Sequence, residues 1–225
     1  MATTFNEIQY LTVGTQAVAA VDPDQRQRHA RLAHGACRVA RDHWQELAER
    51  LNLTRPPSLA RYLIGSRHPV EGLRCCRFHV QHVSRTDHEG TEYFDAVTLA
   101  WHATNDERIR VEKDFTNGVE QMRVALHFAG IEPDETPIRR SDTGRQLATA
   151  FEFNVDVAAS IQLTPLPASG HVRLAFVNLD QLERIEIELP ATAMRLSRLD
   201  EIAKWIVGQP HHALDHAIEV RRFAP

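Results

Sequence analysis

The sequence predicts an α+β protein in which an antiparallel sheet carries helices from both ends of the chain. Helical periodicity occurs near the two ends, in residues 22–54 and 197–207, while apolar and polar residues alternate through much of residues 75–189. Helices at the ends and strands in the middle are typical of this class. We expect two three-stranded meanders plus one or two extra strands, with the N-terminal and C-terminal helices packed on the sheet.

The composition is that of an ordinary globular protein. The chain has 225 residues, of which 43% are hydrophobic and 25% are charged. This excludes collagen-like, low-complexity and disordered classes. Neither predicted meander buries its apolar face unaided, so we expect one integrated domain over residues 1–225, with residues 131–143 as the candidate subdomain break.

The first predicted elements are a short strand and a long helix. Ile8–Val13 has the pattern of a strand. Asp22 followed by Pro23 predicts a helix start, because aspartate caps the first turn and proline suits the first helical position. Gly35 predicts a break in this helix, and Pro56 ends its pattern.

Asn117 and Gly118 predict a hairpin, because this dipeptide favours the tight type I′ turn. The resulting register places two apolar pairs opposite each other, Ile109 with Leu126 and Val111 with Val124. It also places Glu112 opposite Arg123, a pair of opposite charge. A three-residue loop at 105–107 aligns the preceding strand. Residues 92–128 are therefore predicted to form the first meander.

The second meander has the clearer strand pattern. Residues 151–163 alternate between the two faces over thirteen positions, and two shorter alternating segments follow at 172–176 and 185–189. The matching register places Arg173 opposite Glu188, a favourable cross-strand pair.

A C-terminal helix is predicted to begin with Ser197 as its cap and to run from Arg198 to Val207. Gly208 and Pro210 then end it. Residues 211–220 are predicted to form a last helical piece.

Charge is unevenly distributed along the chain. Arginine accounts for 24 of the 26 basic residues, and residues 26–85 carry a formal charge of +8 against −9 for residues 86–225. Either the basic and acidic parts pack together within one fold, or the basic stretch docks an anionic partner. Nucleic acid is a minor alternative, because stacking aromatics and a groove-reading motif are missing. The 13 histidines make the charge sensitive to pH.

The chain is predicted to be cytoplasmic and not a membrane protein. Its first ten residues lack the pattern of a secretory signal, and no window of about 18 apolar residues is present. Three cysteines, two of them adjacent, are typical of a reducing compartment rather than of a disulfide framework.

Standard catalytic and phosphate-binding motifs are absent from the sequence, and we predict no catalytic residues and no cofactor. Two histidine clusters raise metal binding as a hypothesis. His79 and His82 follow Cys75 and Cys76, but on a strand Cys75 and His79 face away from Cys76 and His82. The other cluster, at 211, 212 and 216, lacks a third ligand.

The candidate binding residues lie on the polar face of the first predicted meander. The predicted registers bring together His102, Arg108, Arg110, Arg123 and His127. His102 is expected opposite Arg110, and Arg108 opposite His127. If this face lines a cleft, it suits an anion or acid–base chemistry; otherwise it is a solvated sheet face.

The face of the second meander that points away from the core is too apolar for simple exposure, since it includes Ala158, Ala175 and Val177. The leading hypothesis is therefore a non-enzymatic binding or assembly module that contacts another protein or a second copy. The alternative is an enzyme or a small-ligand protein that uses the His/Arg face for an anionic small molecule.

Overall fold

A computed structural model of the chain describes residues 22–65, 69–139, 144 and 146–225. The α-helices are α1 (Pro23–Thr54), α2 (Thr116–Ala129) and α3 (Leu196–Ile206), the last preceded by a short 3-10 turn at Ala191–Ala193. The strands are β1 (Arg74–Thr86), β2 (Glu92–Lys113), β3 (Asp134–Arg139), β4 (Gln146–Leu166), β5 (His171–Val177), β6 (Arg184–Pro190) and β7 (Glu219–Phe223). The strand predicted at Ile8–Val13 lies outside the described residues.

The strands form one antiparallel sheet, and the predicted α+β class is confirmed. Strand order is β1-β2-β4-β5-β6-β7, with β3 beside the first part of β4. The helices from the two ends of the chain, α1 and α3, pack on the same side of this sheet.

Helix α1 begins as predicted but is not interrupted. The Asp22 side chain accepts a hydrogen bond from the Asp24 backbone N–H at 3.1 Å, and Pro23 occupies the first turn. The break predicted at Gly35 is wrong, because the helix continues to Thr54. Its buried stripe, which includes Cys37 and Trp44, spans the glycine and outweighs the cost of about 1 kcal/mol for glycine in a helix.

Strand β2 runs through the loop predicted at residues 105–107, so that prediction is wrong. Thr104 pairs with Asp156 of β4, and the next pair joins Arg108 to Asn154. Three residues of β2 therefore stand opposite one residue of β4. This bulge adds two residues to β2 and keeps the alternation of faces intact on both sides of it.

The hairpin predicted at Asn117 and Gly118 is wrong, because both residues lie in the first turn of α2. The register predicted from that turn, with Leu126 opposite Ile109, is therefore absent. Met122 and Leu126 instead share a helix face that packs against Phe151 of β4. Burial of this apolar stripe favours the helix over the hairpin that the Asn-Gly sequence prefers locally. Residues 92–128 therefore form one long strand and a helix.

The second meander is confirmed in β4, β5 and β6. Its first strand alternates buried and half-buried residues as predicted and extends over 21 residues. Arg173 pairs with Glu188, and their charged groups lie 3.9 Å apart.

The C-terminal elements differ from the prediction in two places. Helix α3 begins at Leu196 with Arg195 at the N-cap, so the cap predicted at Ser197 is wrong by two residues. Residues 211–220 are not helical: they form a turn and then β7, which pairs with β6. Backbone pairing with a sheet edge satisfies polar groups that a short terminal helix leaves unpaired.

Two hydrophobic cores share the same side of the sheet. One lies under α1 and α3 and includes Trp44, Leu99 and Ile161. The other lies under α2 and residues 60–65 and 69–73 and includes Leu126 and Phe153. Strands β2 and β4 are long enough to contribute side chains to both cores.

Asn178 fills a gap along β4, between the segment paired with β3 and the segment paired with β5. Its buried side-chain amide donates hydrogen bonds to the carbonyls of Ala158 and Phe128, at 2.9 and 2.8 Å. The hydroxyl of Tyr62 donates to the Asn178 carbonyl at 2.5 Å. This residue therefore makes one of the backbone contacts that a neighbouring strand would make with β4, and it joins β4 to the end of α2.

The opposite side of the sheet, which we call the open face, is not covered by a helix within the described residues. Its centre carries small or polar side chains, and charged residues of β5 and β6 flank them. The central residues are Thr98, Ala100, Ala158, Ser160, Gln162, Ala175 and Val177. In the part of the chain that the structure describes, no helix is both long and apolar enough to cross a membrane.

Candidate functional site

The five residues predicted as a binding face lie on two sides of the sheet. His102, Arg108 and Arg110 are on β2 and point to the side of the open face. Arg123 and His127 are on α2, which packs on the other side. The predicted pairs are wrong: His102 lies opposite Cys76 and Ala158, while Arg108 and Arg110 lie opposite Asn154 and Glu152. The wrong loop at 105–107 caused the first error, and the wrong hairpin caused the second.

The arginines of the predicted set already have carboxylate partners. Arg110 lies 2.6 Å from Glu152 and 3.0 Å from Glu112. Arg108 lies 2.8 Å from Asp134. These exposed pairs contribute little stability, but they offset the positive charge that an anion would seek.

Arg123 is neutralised on the helix side of the sheet. Its guanidinium bonds to Glu135 at 2.7 Å and to Glu120 at 2.6 Å. The hydrogen bonds to Glu135 are the main reason that the pKa of Arg123 is raised. His127 is exposed in the last turn of the same helix.

The basic and acidic parts of the sequence also meet in the fold. Arg41 of α1 lies 2.9 Å from Glu92, and Arg85 lies 3.6 Å from Asp95. Arg77 bonds to Asp156. Part of the positive charge of residues 26–85 is therefore neutralised by ion pairs with acidic residues of the sheet.

His102 is the one residue of the predicted set that lies in a chemically suggestive cluster. Its Nδ1 lies 2.8 Å from Oδ1 of Asp156, and the Arg77 guanidinium bonds to the same oxygen. The bond to Asp156 is the main reason that the pKa of Arg77 is raised. An ionised carboxylate only accepts hydrogen bonds, so neutral His102 carries its proton on Nδ1 and leaves Nε2 free as a base.

Cys76 completes this cluster. It is half-buried on β1 and lies directly opposite His102 of β2, where side chains on one face are neighbours. Arg77 follows it directly in the chain, and the Cys76 side chain is one of the smaller causes of the raised pKa of Arg77. Cys76, Arg77 and Asp156 line a cleft of about 680 Å³, together with Asn52, Arg55, Thr104, Asn105 and Asn154.

A bulge in β1 builds the cluster. Cys76 pairs with His102 and His79 pairs with Ala100, so β1 has one extra residue between these pairs. Arg77 in this bulge has φ of 58°, a left-handed conformation that costs roughly 1–2 kcal/mol for a residue other than glycine. The turned backbone sends the Arg77 side chain across β2 to Asp156.

The same bulge changes the predicted faces of the cysteine and histidine pairs. Cys76 and His79 share the open face, whereas Cys75 is buried in the core. The expected grouping of Cys75 with His79 is therefore wrong. Among the residues that the structure describes, no three His, Cys, Asp or Glu side chains are arranged to hold a metal ion.

Comparison of the chain with models of known families, with curated proteins and with solved structures gives no match. The cluster therefore has to be interpreted from its own geometry. Sequence reasoning identified His102 but missed Cys76, Arg77 and Asp156 as its neighbours. The adjacent cysteines were the available signal, but the bulge that selects Cys76 has no glycine to mark it.

Proposed function

We propose that the protein is a non-enzymatic assembly module that binds a second copy of itself through the open face. The observation that supports this proposal is the uncovered centre of the face. Ala100 and Val177 are half-buried there, and no described helix packs over them. A solvated sheet face usually carries longer polar side chains at such positions.

The size of the open face suits a stable dimer. Six strands lie side by side, and β5 and β6 each have seven residues. Strand spacing of about 4.8 Å and a rise of about 3.3 Å per residue give a flat area of about 650 Å². Standard interfaces bury about 1,200–2,000 Å² in total, and two such faces give about 1,300 Å², which lies at the lower end of that range.

The charges beside this centre are self-complementary. Arg173 lies near Glu188, and Arg184 lies 2.6 Å from Glu186. In a dimer with a two-fold axis, the arginines of one copy are able to face the glutamates of the other copy, and the reverse. The small side chains between them allow two sheets to approach to the ordinary packing distance of about 10 Å.

The alternative functions have less support in the geometry. An anion site at Arg108, Arg110 and Arg123 would have to displace the carboxylates that each of them already binds. The Arg-rich stretch 26–85 sends Arg41, Arg77 and Arg85 to acidic partners, which reduces the basic surface available to nucleic acid.

Light scattering coupled to size-exclusion chromatography tests the proposal. We expect twice the chain mass of 25.5 kDa, with a monomer fraction that grows on dilution. Ser160→Arg, at the centre of the open face, should give a folded monomer, while Thr192→Arg on the helix side should not change the mass. A monomer at every concentration, or a dimer that Ser160→Arg leaves intact, would refute the proposal.

A further inference from the structure

The cluster at the corner of the open face has the components of an activated thiol. Cys76, His102 and Asp156 lie on three neighbouring strands, in that order across the sheet. A nucleophile beside a base, with the base held by a third group, is the general arrangement of nucleophilic sites. We propose that Cys76 undergoes thiol–disulfide exchange with small anionic disulfides and that His102 is its base.

Asp156 and Arg77 are the positioning residues of this site. Asp156 holds Nδ1 of His102 at 2.8 Å, which leaves Nε2 as the ring nitrogen available to accept a proton. Arg77 binds the same carboxylate and lies directly next to Cys76 in the chain. The thiolate, and not the thiol, is the nucleophile in exchange.

The cleft favours an anionic reagent. The guanidinium groups of Arg55 and Arg77 line it with the carboxylate of Asp156, and because Arg77 is paired with Asp156, Arg55 leaves the cleft with a net positive charge. Guanidinium groups bind carboxylates through paired hydrogen bonds. A small disulfide that carries a carboxylate near its sulfur atoms therefore matches both the charge and the volume of the cleft.

The exchange step is balanced without a further redox partner. The Cys76 thiol passes its proton to Nε2 of His102, and the thiolate attacks one sulfur of the disulfide. A new S–S bond forms to that sulfur, while the original S–S bond breaks and its electron pair leaves with the second sulfur. Cys76 is oxidised, the leaving half is reduced to a thiolate, and the proton on His102 passes to that thiolate.

The other two cysteines provide a contrast within the same chain. Cys75 and Cys37 are buried, with exposed fractions of 2% and 0%. Burial raises the pKa of Cys75 to about 11 and that of Cys37 to about 12. Both thiols are therefore expected to be inert in the folded protein, although Cys75 is the immediate neighbour of Cys76.

The experiment uses dithiobis(nitrobenzoate), a disulfide with a carboxylate on each half, whose released thiolate is coloured. We expect one fast thiol per folded chain, about tenfold faster than a free cysteine peptide near neutral pH, because few unperturbed thiols are ionised there. Cys76→Ser should remove this phase. His102→Asn should slow it about tenfold and move its pH profile to higher pH, because the thiol then ionises without a base.

Charge recognition is tested by a second reagent. Arg77→Gln should slow the reaction of the anionic disulfide more than that of neutral dithiodipyridine, while Arg85→Gln, at an exposed position at the far end of β1, should affect neither. The assay is run at concentrations where the chain is monomeric, so its result is independent of the proposed assembly. Fast labelling that survives Cys76→Ser, or a Cys76 rate that equals the free peptide and ignores His102→Asn, would overturn the proposal.

Discussion

The side-chain amide of Asn52 pairs with both backbone polar groups of Phe78. Its Nδ2 donates to the Phe78 carbonyl at 2.7 Å, and its Oδ1 accepts from the Phe78 N–H at 2.8 Å. Phe78 lies in the bulge of β1, where the ladder to β2 offers it no partner. The end of α1 therefore holds the strand distortion that positions Arg77.

Asn52→Ala should destabilise the protein by about 2 kcal/mol, because it leaves two backbone groups of a buried residue unsatisfied. Urea denaturation measures this change. Glu49→Ala, at an exposed position on the same helix, is the control and should stay within about 0.5 kcal/mol of the parent. A small effect of Asn52→Ala would show that the bulge does not depend on this amide.

The two ends of α2 give opposite predictions for glycine. Gly118 lies inside the helix, and an added Cβ would meet only Lys113 side-chain atoms at 3.7 and 3.8 Å. Gly118→Ala should therefore stabilise the protein by about 0.5–1 kcal/mol. In the hairpin that the Asn-Gly sequence favours, the same change would be destabilising.

Gly130→Ala is the matched substitution at the other end. Gly130 has φ of 72°, and its Cβ would lie 2.9 Å from that of Ala158. We expect a loss of at least about 1 kcal/mol in the free energy of unfolding. Thermal or urea denaturation of both variants decides whether residues 116–129 are a helix.

Asn178 is predicted to be among the most sensitive polar positions. Asn178→Ala removes the donors to Ala158 and Phe128 and leaves two buried carbonyls without them. The expected loss is about 2–4 kcal/mol. Asn154→Ala, at an exposed position on β4, is the control, and equal effects of the two substitutions would contradict the role given to Asn178.

Stability should fall as the pH drops below the ordinary histidine range. Burial, with Arg85 as the next cause, lowers the pKa of His34 from 6.5, and its Nδ1 accepts a hydrogen bond from the Phe94 N–H at 3.1 Å. The unfolded chain therefore binds this proton first. Stability is fully present above the unfolded pKa and is lost as the pH falls through the folded pKa.

Unfolding free energies at about pH 7.5 and about pH 5.5 measure this dependence. His34→Gln should reduce the difference, because glutamine stays neutral and its oxygen still accepts a hydrogen bond. His88→Gln, at a turn where the histidine side chain is 90% exposed, should leave the difference unchanged. An unchanged difference in His34→Gln would assign the acid sensitivity to other groups.

Local patterns were sufficient where one face of an element is uniformly buried. The alternation along β4 and the Asp22–Pro23 start of α1 predicted those elements, because burial and capping act within a few residues. The hairpin prediction at Asn117–Gly118 was wrong because residues 119–129 fit both the alternation of a strand and the periodicity of a helix. The choice between them depends on covering Phe151, which is a tertiary effect. One wrong turn then displaced Arg123 and His127 to the wrong side of the sheet.

The candidate thiol site lies beyond such patterns. Cys76, His102 and Asp156 belong to three strands, and Asp156 lies 54 residues after His102, so their proximity requires the exact register. That register depends on a one-residue bulge at Arg77. Its left-handed backbone is imposed by Asn52 and Asp156 rather than signalled by a glycine.

Protection of the open face is the most direct test of the proposed assembly. A thiol introduced by Ser160→Cys in a Cys76→Ser background reports on the centre of the face, and one introduced by Thr192→Cys reports on the helix side. We predict that maleimide labelling at position 160 is slow in concentrated protein and becomes fast on dilution, while labelling at position 192 stays fast throughout. Fast labelling at position 160 at every concentration would contradict the account.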